Sequence, residues 1–409
     1  MSETPLQKAY QHTRALSEEL VSGLSEADAQ IQSMEDASPA KWHLAHTSWF
    51  FETLVLARQP GYRPFHPQFN YLFNSYYQGI GAQYARPQRG LLSRPSLEEI
   101  LQYRRHVDCH MAGVLSGDQG VQLAPIIELG IHHEQQHQEL LLMDIKHAFF
   151  HNPLYPAYSI RALPEPAPQS ELRWLDVDEG LYSIGHDGNG FAFDNEQPRH
   201  QQYLQTFKLA SRLVTNGEYR QFIRDGGYDN PLLWLSDGWA WRQRSGRTTP
   251  LYWLQTEQGW QEFTLHGCQP LEDNRPLVHL TYYEAQAFAQ WAGCRLPFEA
   301  EWEAAATDTA AGGQFLDLNH LHPITRVGRD SPLSGSVWQW TQSAYGPYPG
   351  FKPFEGEAAE YNGKFMCNQL VLRGGACVTP ASHFRISYRN FFYPHQAWQF
   401  CGIRLAKSA

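Results

Sequence analysis

Residues 151–170 read HNPLYPAYSIRALPEPAPQS, with proline at positions 153, 156, 164, 166 and 168. Proline fixes φ, removes an amide donor and breaks the interior of a helix or a central strand. Proline at this density ends the preceding element and makes a stiff, extended connection. The chain has 409 residues, more than one hydrophobic core usually organises. A linker at 153–171 therefore divides it into an N-terminal domain, 1–152, and a C-terminal domain, 172–409.

Upstream of the linker the periodicity is helical. A polar amphipathic stretch covers about Glu3 to Ala29. Ser38-Pro39 has the form of a helix start, serine as N-cap and proline at the first helical position, opening SPAKWHLAHTSWFFETLVLA. A loop rich in Pro, Tyr and Asn follows from about Gln59 to Ser93. Ser96 and Glu99 then form a capping-box pattern for a helix running to about Leu115, and a fourth helix runs from about Leu123 to Phe150. Four long helices predict a bundle, whose interior commonly carries metal sites. Downstream, Gly, Trp and Tyr are frequent, strands look short, and helices are expected at about 216–224, 281–291 and from Pro297. The fold class expected is α+β multidomain, a helical bundle followed by a mixed α/β domain.

Composition removes several function classes. The chain is 42% hydrophobic and 18% charged, an ordinary folded balance. Its net charge is −10 and it has no Lys/Arg run, so nucleic-acid binding is not expected. No apolar run is long enough to span a membrane. The opening MSETPLQKAY lacks the basic-then-apolar pattern of an export signal, which makes a cytoplasmic location the expectation. The six cysteines are scattered without a C-x-x-C pair and read as reduced thiols. There is no P-loop and no Rossmann glycine pattern.

The chemistry concentrates in IHHEQQHQEL, residues 131–140. On a helix His133 and His137 lie at i and i+4, on one face, with rings able to meet one ion. His132 and Gln136 fall about 100° away and line the adjacent surface. A third ligand must come from another element. KWHLAHT on the second helix offers His43 and His46, and His46 adjoins the core side marked by Trp42, Ala45 and Trp49. Periodicity alone leaves His43 open. HEQQH also has the H-E-x-x-H form, in which Glu134 would be the general base of a zinc peptidase. Three imidazoles without cysteine suit Zn(II) or Fe(II), and the pattern does not choose between them.

The C-terminal half carries RPLVHLTYYEAQAFAQWAGCRLPFEAEWEAAA (275–306), GSVWQWTQSAY (335–345), LRGGACVTP and CGIRLA. These resemble the formylglycine-generating-enzyme fold, a C-type-lectin-like scaffold. The cysteine pair those enzymes use would fall in HFRISYRNFF, which contains no cysteine, so that activity is not implied. SPAKWHLAHTSWFFE and HHEQQHQEL resemble DinB-type bundles. The combination resembles the ergothioneine-biosynthesis sulfoxide synthases, which use O2 and non-haem iron to join the thiol of cysteine or γ-glutamylcysteine to hercynine.

The resemblance implies Fe(II) on His46, His133 and His137, a hercynine contact from Gln136, and a further substrate contact from Asn390 in SYRNFFYP. It places the arginines that hold the sulfur substrate's carboxylate at Arg86 and Arg89, a role suited to a bidentate, permanently charged group. Members using γ-glutamylcysteine continue the Arg-Asn pair with Trp-Asp, the acid facing the substrate amine. Here Arg389-Asn390 is followed by Phe391-Phe392, which favours free cysteine over γ-glutamylcysteine. The family also uses a tyrosine as proton donor. NYLFNSYYQGIG offers Tyr76 and Tyr77, the favoured pair, and SAYGPYPGF offers Tyr345 and Tyr348. Hercynine's quaternary ammonium suits aromatic faces, for which Phe391 ranks first among Phe391, Phe392, Tyr393 and Trp398. Selenoneine synthase, a zinc-dependent DinB-type hydrolase or thiol transferase, and a hercynine-binding protein without catalysis are the rival readings.

Overall fold

The computed structural model describes residues 3–168, 170–307, 312–325 and 332–408. The outermost residues of the predicted domains, and residue 169 of the predicted linker, lie outside that set. The chain forms two compact units: Met1–Tyr158 with Phe354–Tyr361, and Ser159–Pro353 with Asn362–Ala409.

The first unit is helical: α1 (Pro5–Val21), α2 (Glu26–Gln30), α3 (Ala40–Leu54), α4 (Phe69–Phe73), α5 (Leu97–Ser116), α6 (Gln119–Gln122) and α7 (Ala124–Phe150). Of the long helices, α1 and α5 start at capping boxes, whereas α3 and α7 have no side-chain cap. Ser96 and Glu99 form the expected capping box at α5. The stretch expected to be helical over 3–29 divides in two. Thr4 and Gln7 cap α1, while Ser25 and Asp28 form a second box that starts α2. Ser38 does not cap α3, which begins at Ala40 without a side-chain cap. Its hydroxyl instead accepts from Arg89 Nη1 at 3.0 Å, and its amide donates to Asp144 at 2.8 Å. The expected 59–93 loop contains α4 and a 3-10 turn at Arg86–Leu91.

The approach of α3 to α7 rests on one glycine. A Cβ on Gly130 would lie 2.5 Å from Phe51 Cε1 and 2.9 Å from Phe50 Cε1, closer than real contacts allow. Gly130 precedes His133 by about one turn and Phe50 follows His46 by about one turn. The same close crossing therefore brings those two histidines together.

The second unit is mixed. It begins with β1 (Trp174–Val177), β2 (Gly180–Ile184), β3 (His200–Leu204), β4 (Phe207–Ala210), α8 (Asn216–Arg224) and α9 (Ser236–Ser245). Next come β5 (Trp253–Thr256), β6 (Gly259–Thr264), β7 (Gly267–Pro270), α10 (Tyr282–Trp291) and α11 (Glu299–Thr307). It ends with β8 (Trp338–Ala344), β9 (Leu370–Arg373), β10 (Asn390–Phe392), β11 (Cys401–Gly402) and β12 (Ala406–Ser408). Among the described residues the sheets are ordered β1-β4-β12, β10-β9-β8-β11, β2-β3 and β5-β6-β7. Trp302, Phe207 and Leu209 are fully buried in one core cluster with Ile184 and Leu333. The helices expected at 216–224, 281–291 and beyond Pro297 are present. α9 was missed because SDGWAWRQRS buries only Gly238 and has no apolar stripe.

Candidate metal centre

The 100° step between successive helix positions gives α7 distinct faces. His133 and His137 face α3, where His46 meets them. Nitrogen atoms of His46, His133 and His137 all lie within 4.8 Å of one another. His46 Nε2 is 3.2 Å from His133 Nε2, and the ring centroids are 4.9 Å, 4.7 Å and 4.6 Å apart for the three pairs. Burial, reinforced by the neighbouring imidazoles, holds His46 and His137 well below the usual histidine range. Burial pushes His133 down to about 3. All three rings are neutral at pH 7, the state a metal ligand requires.

His46 is held on several sides. Its Nδ1–H donates to the Phe73 carbonyl at 2.6 Å, which puts the lone pair on Nε2, the atom 3.2 Å from His133 Nε2. Trp42 and Trp49 stack on its ring at 4.7 Å and 5.5 Å. The same short helix α4 anchors those tryptophans, since Trp42 Nε1 donates to Leu72 and Trp49 Nε1 to Asn70. His43, left open by periodicity, does not join the cluster. Its Nε2 lies 3.0 Å from Asp144 and its Nδ1 lies 2.8 Å from His137 Nδ1.

Glu134 lies on the next face, toward α1 and α5. It accepts from Arg14 Nη1 at 2.9 Å, Arg104 Nη2 at 2.9 Å and Ser17 Oγ at 2.6 Å, and is fully buried. Burial alone would raise its pKa, but the two guanidiniums win and hold it at about 2. A carboxylate so engaged cannot act as a general base, so the peptidase role of the H-E-x-x-H pattern is excluded.

Gln136 faces the segment Phe354–Tyr361. The Tyr361 hydroxyl donates to Gln136 Oε1 at 2.5 Å, and its ring lies 5.9 Å from that of His133. The carboxylate of Glu360 accepts from the amides of Gln78 and Gly79 at 3.2 Å and 2.8 Å. Sequence reading missed Tyr361, which is 225 positions from Gln136 in a segment without periodicity.

Tyr77 is buried, with its ring 5.6 Å from Trp49, and its hydroxyl makes no hydrogen bond among the described residues. Burial raises its pKa, so it stays protonated. Tyr76 takes a left-handed φ of 69°, is 39% exposed, and its hydroxyl accepts from Arg86 Nη1 at 2.6 Å. Arg86 also donates to the Asp36 carbonyl. Arg89 is buried over the Trp42 ring at 3.4 Å and donates to Ser38 and Ser75. Neither arginine forms an ion pair among the described residues, and burial lowers Arg89 to about 9. A desolvated guanidinium without an anion is a ready carboxylate partner.

Asn390, Phe391 and Phe392 form β10 in the second unit. Asn390 Oδ1 accepts from the Phe391 amide at 2.9 Å, and Phe391 stacks on Tyr345 at 4.0 Å. The Tyr345 hydroxyl accepts from Asn195, and Tyr348 is buried against Arg389 at 4.0 Å.

The family model described as DinB superfamily matches residues 9–151. The sulfatase-modifying factor enzyme 1-like domain model matches 161–330 and 331–409, more than half the chain. A hercynine oxygenase of Mycobacterium tuberculosis is 31% identical over 93% of both chains. The chain belongs to the hercynine oxygenase family. A second hercynine oxygenase, from Mycolicibacterium smegmatis, is 32% identical over 68% of this chain and 70% of its own. Ergothioneine biosynthesis protein 1 of Schizosaccharomyces pombe is 26% identical over 60% of this chain and 35% of its own. The hercynine oxygenase resemblance thus spans both halves on either side of the proline-rich segment. No helix among the described residues is long and apolar enough to cross a membrane.

Proposed function

We propose that this protein is a non-haem Fe(II), O2-dependent sulfoxide synthase that joins the thiol of cysteine to hercynine. The observation that carries the reading is the convergence of His46, His133 and His137 beside an engaged Glu134, in a chain whose relatives are named hercynine oxygenases. Three neutral imidazoles are a donor set that fits Fe(II) and leaves coordination positions open. When bound, Fe(II) would supply the centre at which O2 and the thiolate react together. The two substrates balance the reaction: one C–H and one S–H are replaced by C–S and S–O bonds as O2 yields the sulfoxide oxygen and water.

The chain's own groups bind, orient and supply a proton. Arg89, a buried cation without an ion pair among the described residues, takes the carboxylate of cysteine, and Arg86 assists from the Tyr76 side. Gln136 orients hercynine, with its amide held by Tyr361. Tyr77 is the proton donor, because its hydroxyl is protonated and unengaged while that of Tyr76 is held by Arg86. Asn390, Phe391 and Phe392 enter as hercynine contacts through the family resemblance alone.

The test is anaerobic loading with Fe(II), then O2 with hercynine and each of cysteine, γ-glutamylcysteine and a selenosugar, with products identified by mass. The sulfoxide of hercynylcysteine should dominate. Preference for γ-glutamylcysteine would overturn the cysteine assignment, and a selenium product the sulfur one. Tyr77→Phe should divert turnover toward thiol dioxygenation, and an unchanged sulfoxide yield would remove Tyr77 from the mechanism.

A further inference from the structure

The three histidines differ in what holds the nitrogen turned away from the cluster. His46 uses the Phe73 carbonyl. The Nδ1 of His133 is buried without a hydrogen-bond partner among the described residues. His137 alone is held by another titratable side chain, His43, whose Nδ1 lies 2.8 Å from His137 Nδ1. The far nitrogen of His43 lies 3.0 Å from Asp144 Oδ2. His43 and Asp144 are 3% and 6% exposed, so neither geometry is a solvated surface contact.

Proton counting gives this chain a direction. A carboxylate only accepts, so His43 carries its proton on Nε2 and donates to Asp144. With that proton on Nε2, the Nδ1 of His43 presents its lone pair to His137 as the acceptor. A close Nδ1–Nδ1 contact needs one donor, and His137 must supply it. The single proton of neutral His137 is therefore on Nδ1, and its Nε2 carries the lone pair. Asp144 is fixed in turn by the Ser38 amide at 2.8 Å, and Ser38 also receives Arg89.

We propose that Asp144 and His43 form a positioning relay that sets the tautomer and ring angle of His137, keeping its Nε2 available to a metal ion. The relay rests on the reading of the three histidines as metal ligands, but it assigns a role to two residues outside that set. Outer partners of this kind orient ligands, and their loss typically lowers metal affinity about 10–100-fold.

The experiment is titration of the metal-free full-length protein with Co(II) alone, with affinity from chelator competition and the ligand field from visible absorption. Wild-type protein should bind one Co(II) with an absorption band of a nitrogen-rich site. His43→Phe removes both ring nitrogens and should weaken binding about 10–100-fold and shift the band. His43→Asn restores an acceptor near the Nδ1 position and should recover most of the affinity. A merely structural role predicts that the thermal midpoint of the metal-free protein falls while the band stays unchanged. If His43→Phe does not fold, Asp144→Asn and Asp144→Ala make the same comparison, with affinity kept in the first and lost in the second. Wild-type affinity and spectrum in His43→Phe, or equal affinity in both Asp144 variants, overturns the relay. Failure of the wild-type protein itself to bind Co(II) overturns the metal reading instead.

Discussion

On one face of α7, Glu134 has a hydrogen-bond donor from three neighbours, two of them guanidiniums. On the next face, three imidazoles gather with ring nitrogens within 4.8 Å of one another, and Arg89 sits desolvated nearby without an ion pair among the described residues. Both regions are buried and polar, and both lie within a few residues on one helix. The first is saturated and ties α1, α5 and α7 together. The second is left with unused coordinating and cationic capacity, which costs stability unless a ligand takes it up. Unused capacity in a buried polar cluster marks function, and saturation marks structure.

Four substitutions sharpen or break this contrast. The largest effect is expected from His133→Ala. Metal affinity should fall by more than the roughly hundredfold that loss of an outer partner costs, while the thermal midpoint of metal-free protein barely changes. Equal losses of stability and metal binding would erase the distinction between the two faces. Glu134→Gln should do the reverse, costing about 1–3 kcal/mol in denaturant unfolding because two buried guanidiniums lose their shared anion, although Arg14 keeps Asp108 at 2.7 Å.

That contribution has a defined pH dependence. The carboxylate titrates at about 2 in the folded chain, below its unfolded value of about 4.3. The stability it confers is therefore fully present above the unfolded pKa and is lost as pH falls through that window. The stability difference between wild type and Glu134→Gln should shrink over the same range, and a constant difference would contradict the ion-pair account.

Arg89→Met should raise the KM for cysteine about 10–100-fold, since a hydrogen bond to a charged group contributes about 1.5–3 kcal/mol. An unchanged KM would place the carboxylate elsewhere. The smallest effect is Gly130→Ala, at about 1–3 kcal/mol from the collision with Phe51 and Phe50. Metal affinity should drop with it, because the same crossing positions His46 against His133.

Much of this contrast was legible in the sequence, for physical reasons that differ by residue. The i, i+4 spacing of His133 and His137 specifies a shared face on any helix, and the capping box at Ser96 is read from two side chains three positions apart. Proline density marked a change of texture at 151–170. The partners of Glu134 were not legible, because Arg14 and Arg104 lie 120 and 30 positions away and their pairing exists only in the packed bundle. Ser38 looked like an N-cap because the rule is local, whereas its hydroxyl is taken by Arg89, 51 positions on. Tyr361 carried no signal at all. Local hydrogen bonding and helical periodicity can be read from the chain, and choices between competing long-range partners cannot.

The most direct measurement of the central claim is O2 uptake by the protein loaded with Fe(II) or with Zn(II), given hercynine and cysteine without a reductant. The account predicts one O2 consumed per sulfoxide with Fe(II), none with Zn(II), and none in His133→Ala. Stoichiometric zinc with turnover independent of O2 would contradict it.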